Sequence, residues 1–158
     1  LGPKIIGVNK KGDNVEGCQK VVTTDKIDNV LPEADILYLA LPETPETKNI
    51  INRKRLNLLK PSCGIINIGR QSTMDYDALK DKLNKNELAG AILDVFTPEP
   101  IKSSSKLWDT PNLIITPHVS SDDGESYVRL TLELFIKNLE LFIAGKPLVN
   151  QIDKKLGY

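Results

Sequence analysis

The sequence predicts an α/β fold built on a doubly wound parallel sheet. Short apolar runs recur along the chain, with amphipathic stretches between them. The runs are apolar at successive positions, which suits parallel strands covered by helices on both faces. Regular alternation of strand and helix builds open α/β sheets rather than sandwiches or bundles.

Taken in order, the expected strands are Lys4–Asn9 (KIIGVN), Lys20–Thr23, Asp35–Ala40 (DILYLA), Gly64–Ile68 (GIINI), Ala89–Val95 (AGAILDV) and Asn112–Thr116 (NLIIT). Helices are expected over Asp25–Leu31, Arg53–Leu59, Tyr76–Asn84 and from about Asp123 to Ala144. Asn52 and Asp75 stand where an N-cap side chain can accept from orphan backbone donors. In the last helix Val128, Leu132, Phe135, Leu139 and Phe142 recur at three- and four-residue steps, which makes one apolar stripe. Gly145 and Pro147 then end it. The Ser103–Ser105 stretch reads as a polar loop, and no internal repeat is present.

At 158 residues the chain suits one domain with a core. Lysine plus arginine equals aspartate plus glutamate at 21 each, so no net field favours nucleic acid or anionic lipid as a partner. Cys18 and Cys63 are far apart and form no metal-spaced or redox pair, which points to a reducing, cytoplasmic setting. No apolar run approaches membrane-spanning length, and no signal-peptide pattern opens the chain. The first residue is not methionine, and a strand-like run begins almost at once. A fragment of a larger fold is therefore expected.

The one histidine, His118, stands in NLIITPHVSSDD, directly after a strand. Arg70 follows GIINI, and Glu99 follows AILDV in LDVFTPEP. Open α/β sheets bind ligands outside the carboxyl ends of their strands, where all three residues fall. Singly, each has a plain reading: a structural histidine, a solvated arginine, a loop carboxylate. Three such groups after successive strands of one sheet are harder to dismiss. A carboxylate beside imidazole favours its charged form, which can donate a proton at neutral pH. Arg70 offers a planar fork that matches a substrate carboxylate. Together they suit reduction of a 2-keto acid by a hydride that no side chain can supply.

At these residues the sequence resembles the D-isomer-specific 2-hydroxyacid dehydrogenases. ALPETPETKNIIN resembles the family's Leu-Pro…Thr segment, KPSCGIINIGRQSTMDYDAL its Asn-x-x-Arg-Gly signature, AGAILDVFTPEP its Leu-Asp-Val-Phe…Glu-Pro signature, and NLIITPHVS its Thr-Pro-His signature. The ending, GKPLVNQIDKKLGY, also looks like a family C-terminus. The resemblance implies a Rossmann-like NAD(P)-binding domain in which Arg70 grips the substrate carboxylate and His118 is the acid/base, with Glu99 as its partner. It places Asp94 near the nicotinamide, over the plainer reading of a strand-end residue capping a turn, and Ile68, Gly69 and Arg70 along the cofactor's ribose side. Leu41, Pro42 and Thr47 would line the adenosine end, although turn-making competes for Pro42 and Thr47. The implied substrate is a small 2-keto or 2-hydroxy acid such as glyoxylate or hydroxypyruvate, and the implied assembly is a homodimer.

Two departures from the pattern stand out. Gln71 replaces the usual glycine, which would make a positive φ costly there. The glycine-rich loop, its preceding strand and the substrate domain are not found in this sequence. KIIGVN resembles the family's second strand, so the central first strand of the 3-2-1-4-5-6 order is expected to be missing from the sheet. At the end of that second strand, Asn9 stands where NAD-specific sites place an acid, with Lys10 and Lys11 next. That favours a ribose 2′-phosphate and leans the cofactor expectation from NAD toward NADP, with a solvated lysine pair after a strand as the competing reading. Glutamate at position 99 argues against formate dehydrogenases, and VSSDD after His118 argues against phosphoglycerate dehydrogenases. The C-terminal-binding-protein corepressors keep the same three residues, so a non-catalytic binding protein stays open, as does an inactive truncated product.

Overall fold

The computed structural model of the chain describes residues 2–121 and 123–154. The last four residues of the family-like ending, and Asp122 of the VSSDD stretch, lie outside them. Six parallel strands form: β1 (Ile6–Asn9), β2 (Lys20–Thr23), β3 (Ile36–Leu39), β4 (Gly64–Asn67), β5 (Gly90–Leu93) and β6 (Leu113–Ile115). Each lies inside a run expected to be a strand. The α-helices are α1 (Arg53–Leu56), α2 (Tyr76–Asn84) and α3 (Tyr127–Ile143).

Both expected N-caps are in place. The Asn52 side chain accepts from the Arg55 N–H, and that of Asp75 accepts from the Ala78 N–H. Three helical expectations need correction. The stretch from Asp25 to Leu31 is two 3-10 turns, Thr24–Asn29 and Leu31–Glu33, and Pro32 removes a donor at the start of the second. Arg53–Leu59 shortens to the single turn of α1. The last helix starts at Tyr127 because the Asp123 carboxylate accepts from the Glu125 and Ser126 N–H groups and closes a separate turn. Gly145, at φ +65°, ends that helix in the left-handed region.

The strands form two sheets, β1-β2 and β3-β4-β5-β6. The break between β1 and β3 falls where the first strand of a 3-2-1-4-5-6 sheet would sit. In the larger sheet, Leu39, Ile65, Ala91 and Leu93 face Leu56 of α1 and Ala78, Leu79 and Leu83 of α2 in one buried cluster. Successive side chains of a strand point to opposite faces, so one face is core and the other belongs to Ile36, Tyr38, Ile66, Ile92 and Ile114. Ile36, Tyr38 and Ile114 are exposed. Helices on both faces were expected, but α1 and α2 cover only one. The apolar stripe of α3 is exposed along its length, and none of that helix is buried among the described residues. A clamp at Asn138 ties it to the following tail: Val149 N–H donates to Asn138 Oδ1 (2.8 Å) and Asn138 Nδ2 to the Val149 carbonyl (3.1 Å).

Candidate active site

The carboxyl ends of β4, β5 and β6 bring the side chains expected to be reactive to one edge of the larger sheet. Beyond β6, Thr116 N–H donates to the Leu93 carbonyl, and the chain then turns through Pro117. His118 sits at φ +58°, in the left-handed region that side chains other than glycine seldom enter. Its Nδ1 lies 2.8 Å from Glu99 Oε2. Glu99 stands in a turn whose Thr97–Pro98 and Glu99–Pro100 bonds are both cis. Its other oxygen accepts from the Phe96 N–H at 2.7 Å, so both carboxylate oxygens are engaged. The hydrogen bond from His118 and then that from Phe96 hold the Glu99 carboxyl below the usual glutamate range, and the charge of Arg70 adds to this. A mainly apolar cavity of about 440 Å³ adjoins the pair, walled by Phe96, Ile101, Trp108 and Ile115.

Arg70 is exposed just after β4, with its Nη1 donating to the Gly69 carbonyl at 2.7 Å. The turn that presents it is organised by Asn67, which is fully buried. Asn67 Oδ1 accepts from the Gly69 N–H (3.0 Å), while Nδ2 donates to the Arg70 carbonyl (3.3 Å) and the Tyr76 hydroxyl (3.2 Å). Tyr76 in turn donates to the Val95 carbonyl at 2.9 Å, and burial pushes its phenol up, so it stays a donor. The loops after β4 and β5 are thereby joined through a satisfied buried network. Gln71 lies in a 3-10 turn, Gln71–Thr73, and is not among the positive-φ residues, so its replacement of glycine carries no backbone penalty.

The expected cofactor side is assembled differently. A Cβ on Gly69 would lie 2.6 Å from the Leu41 carbonyl oxygen and 2.7 Å from the Leu41 nitrogen, so position 69 admits only glycine without backbone movement. That close approach sets Leu41 beside Ile68–Arg70. Thr47 Oγ1 donates to the Pro42 carbonyl at 2.7 Å and accepts from the Thr44 N–H at 2.8 Å, so both residues serve as turn-makers. The Asn9 side chain is also used within its own turn, accepting from the Lys11 and Gly12 N–H groups at 3.1 and 2.6 Å. Lys10 reaches Glu46 at 3.4 Å, an exposed pair that links the end of β1 to the loop after β3.

Asp94 follows β5 and is 1% exposed. Its carboxylate accepts from Thr116 Oγ1 (2.5 Å) and from the backbone N–H groups of Val119 and Ser120 (2.9 Å each). Burial opposes its charge, but these hydrogen bonds outweigh it and hold the carboxyl below its usual range.

Of the three expected reactive residues, Glu99 and His118 touch, and the charge of Arg70 acts on Glu99. The cavity beside the pair is walled without Arg70. Sequence reasoning missed the supporting roles of Asn67, Tyr76 and Thr116. A polar residue inside the otherwise apolar run GIINI was the available signal for Asn67. Nothing local marked Tyr76. Among the described residues, no group of acidic, histidine and cysteine side chains could hold a metal ion, and no helix is long and apolar enough to cross a membrane.

Comparison with known proteins supplies the family. Residues 1–120 match the family model of the D-isomer specific 2-hydroxyacid dehydrogenase, NAD binding domain. The chain belongs to this family. It is 41% identical over 155 residues to the uncharacterized protein in the proB 3' region of Corynebacterium melassecola, covering 98% of this chain and 51% of that one. It is 44% identical over 100 residues to glyoxylate/hydroxypyruvate reductase B of Pectobacterium carotovorum, covering 63% of this chain and 31% of the relative. The NADPH-dependent glyoxylate/hydroxypyruvate reductase of Sinorhizobium meliloti, solved with NADP and sulfate, superposes with a TM-score of 0.89 at 32% identity, over 99% of this chain and 50% of that one. The chain thus spans about half the length, or less, of these relatives.

Proposed function

We propose that the protein containing this chain reduces a small 2-keto acid, such as glyoxylate or hydroxypyruvate, to the D-2-hydroxy acid with NAD(P)H. The observation that carries this reading is the 2.8 Å His118–Glu99 pair at the carboxyl edge of the sheet, with the charge of Arg70 felt at Glu99. The names of the relatives from Pectobacterium and Sinorhizobium support the same substrate class.

A nicotinamide cofactor held beside Asp94 and His118 would supply the hydride, which no side chain can. His118 gives a proton to the carbonyl oxygen from its second ring nitrogen, Nε2. Glu99, ionised and hydrogen-bonded at Nδ1, orients the ring. Arg70 grips the substrate carboxylate and polarises its carbonyl. The products are hydroxy acid and oxidised cofactor, so one hydride and one proton are consumed per turnover.

Fit to a dinucleotide rests on the loops at the carboxyl edge. Leu41, Pro42 and Thr47 would flank the adenosine end, Ile68, Gly69 and Arg70 the ribose side, and Asp94 and His118 the nicotinamide. Asn9 and Lys10 stand at the end of β1, where a 2′-phosphate would be read, and this leans the preference to NADP. The Sinorhizobium enzyme, described as NADPH-dependent, supports that lean. A homodimer in the cytoplasm completes the reading. The test is keto-acid-dependent oxidation of NADPH and NADH by the intact protein. Absence of turnover with glyoxylate, hydroxypyruvate and larger 2-keto acids would overturn it and favour a non-catalytic binding role.

A further inference from the structure

The geometry points to Asp94 as the positioning residue of the acid/base pair: its carboxylate fastens the Thr116–Ser120 turn and so holds His118 in the left-handed conformation from which the ring meets Glu99. This inference rests on the proposed function for its catalytic meaning, though not for its structural content.

Pairing of β6 with β5 reaches only as far as the Thr116 N–H on the Leu93 carbonyl. Two residues later the chain must enter φ +58° at a histidine, a conformation that a side chain disfavours unless its surroundings enforce it. The enforcing groups lie on either side of His118. Thr116 donates its hydroxyl to Asp94 Oδ1 from one side, and Val119 N–H donates to the same oxygen from the other. Ser120 N–H donates to Oδ2. Two consecutive N–H groups directly after His118 are thus fastened to one anion, which fixes the chain on the far side of the left-handed residue. Asp94 is buried, and its three bonds leave an ionised carboxylate about one of its roughly four acceptor sites.

A carboxylate with three bonds to one turn works through the loop it holds. Its geometry differs from that of a side chain aimed mainly at a cofactor, which is the role the family resemblance suggests for it. The two roles predict different variants. Asp94→Asn keeps the shape but turns an amide NH₂ toward an N–H donor, so the turn loses at least one bond. Misplacing the proton donor in this way should lower kcat by about 10²-fold. The dissociation constant for NADPH, read by fluorescence titration, should rise by a much smaller factor than kcat falls, because the main role of Asp94 is to hold the turn. Combining Asp94→Asn with Glu99→Gln should cost much less than the product of the two separate losses, because both act on one imidazole.

A crystal structure of the Asp94→Asn protein gives a readout independent of turnover: His118 should leave the left-handed region and its Nδ1 should separate from Glu99. Thr116→Val, which removes one bond and keeps the charge, should show the same changes to a smaller degree, and serves if Asp94→Asn does not fold. An unchanged His118 φ in both variants overturns the inference. So does a weakened NADPH affinity with kcat intact, which would make Asp94 a cofactor ligand. Displacement of His118 in a protein that reduces no keto acid would uphold the positioning role while overturning the enzymatic reading.

Discussion

The two halves of the carboxyl edge are built on opposite principles. At the ends of β4, β5 and β6, buried polar side chains hold the loops: Asn67 orders the Arg70 turn, and Asp94 orders the His118 turn. Both are at most 1% exposed, and each has its hydrogen bonds made. At the ends of β1 and β3, the half-buried side chains of Asn9 and Thr47 tie short turns to themselves, and an exposed Lys10–Glu46 pair spans the break between the sheets. Low local dielectric makes the first arrangement stiff and intolerant of a lost partner. Solvent screening makes the second adjustable. The half proposed to hold the reacting atoms is the stiffer one, while the half expected to read the cofactor's distal end can vary at small cost.

Substitutions can break or sharpen that contrast. The largest effect is expected at His118, where alanine should lower keto-acid reduction in the intact protein by roughly 10²–10⁴-fold while sparing NADPH binding. Steady-state kinetics alongside a fluorescence titration measures both, and a variant retaining most of its turnover would remove His118 from the chemistry. Next comes Asn67→Ala, which leaves the Gly69 N–H without its acceptor and the Tyr76 hydroxyl without its donor. Destabilisation of about 1–3 kcal/mol is expected in urea unfolding, with a raised KM for the keto acid because Arg70 loses its support. A change in stability with KM unmoved would show that the Arg70 turn holds itself.

A smaller effect concerns pH. The folded-state value of Glu99 is depressed, so its carboxylate stabilises the fold above the ordinary glutamate value of about 4.3, and that contribution fades as pH falls through the lower folded value. Unfolding of the parent protein and of Glu99→Gln should therefore differ near neutrality and converge on acidification. A constant gap down to about pH 3 would contradict the depressed value. The smallest effect is expected on the exposed side. Replacing Lys10 and Lys11 by alanine should weaken NADPH about two- to five-fold more than NADH, in keeping with solvent-screened charges. Equal changes for the two cofactors would mean that these lysines read no phosphate.

The strands were legible because period and composition are local properties. All six fell within the apolar runs, and the caps at Asn52 and Asp75 followed from side chains that can reach their own backbone donors. The 3-10 character of Thr24–Asn29 was less legible, since an amphipathic run does not reveal how tightly it winds. The stripe on α3 was visible in the sequence, yet its burial was not, because burial needs a facing surface and none of the described residues supplies one.

From the sequence alone came the α/β class, the order of strands, the break expected beside KIIGVN, and the three residues placed after successive strands. Tertiary structure decided which of them meet. The His118–Glu99 contact joins residues 19 apart and depends on a left-handed backbone at a histidine, which no local preference favours. The support of that backbone by Asp94 joins β5 to the turn after β6, at separations of 22 to 26 residues. Such contacts are settled by the pairing of strands and the exclusion of water from their ends. A buried carboxylate must find its donors wherever the folded chain brings them.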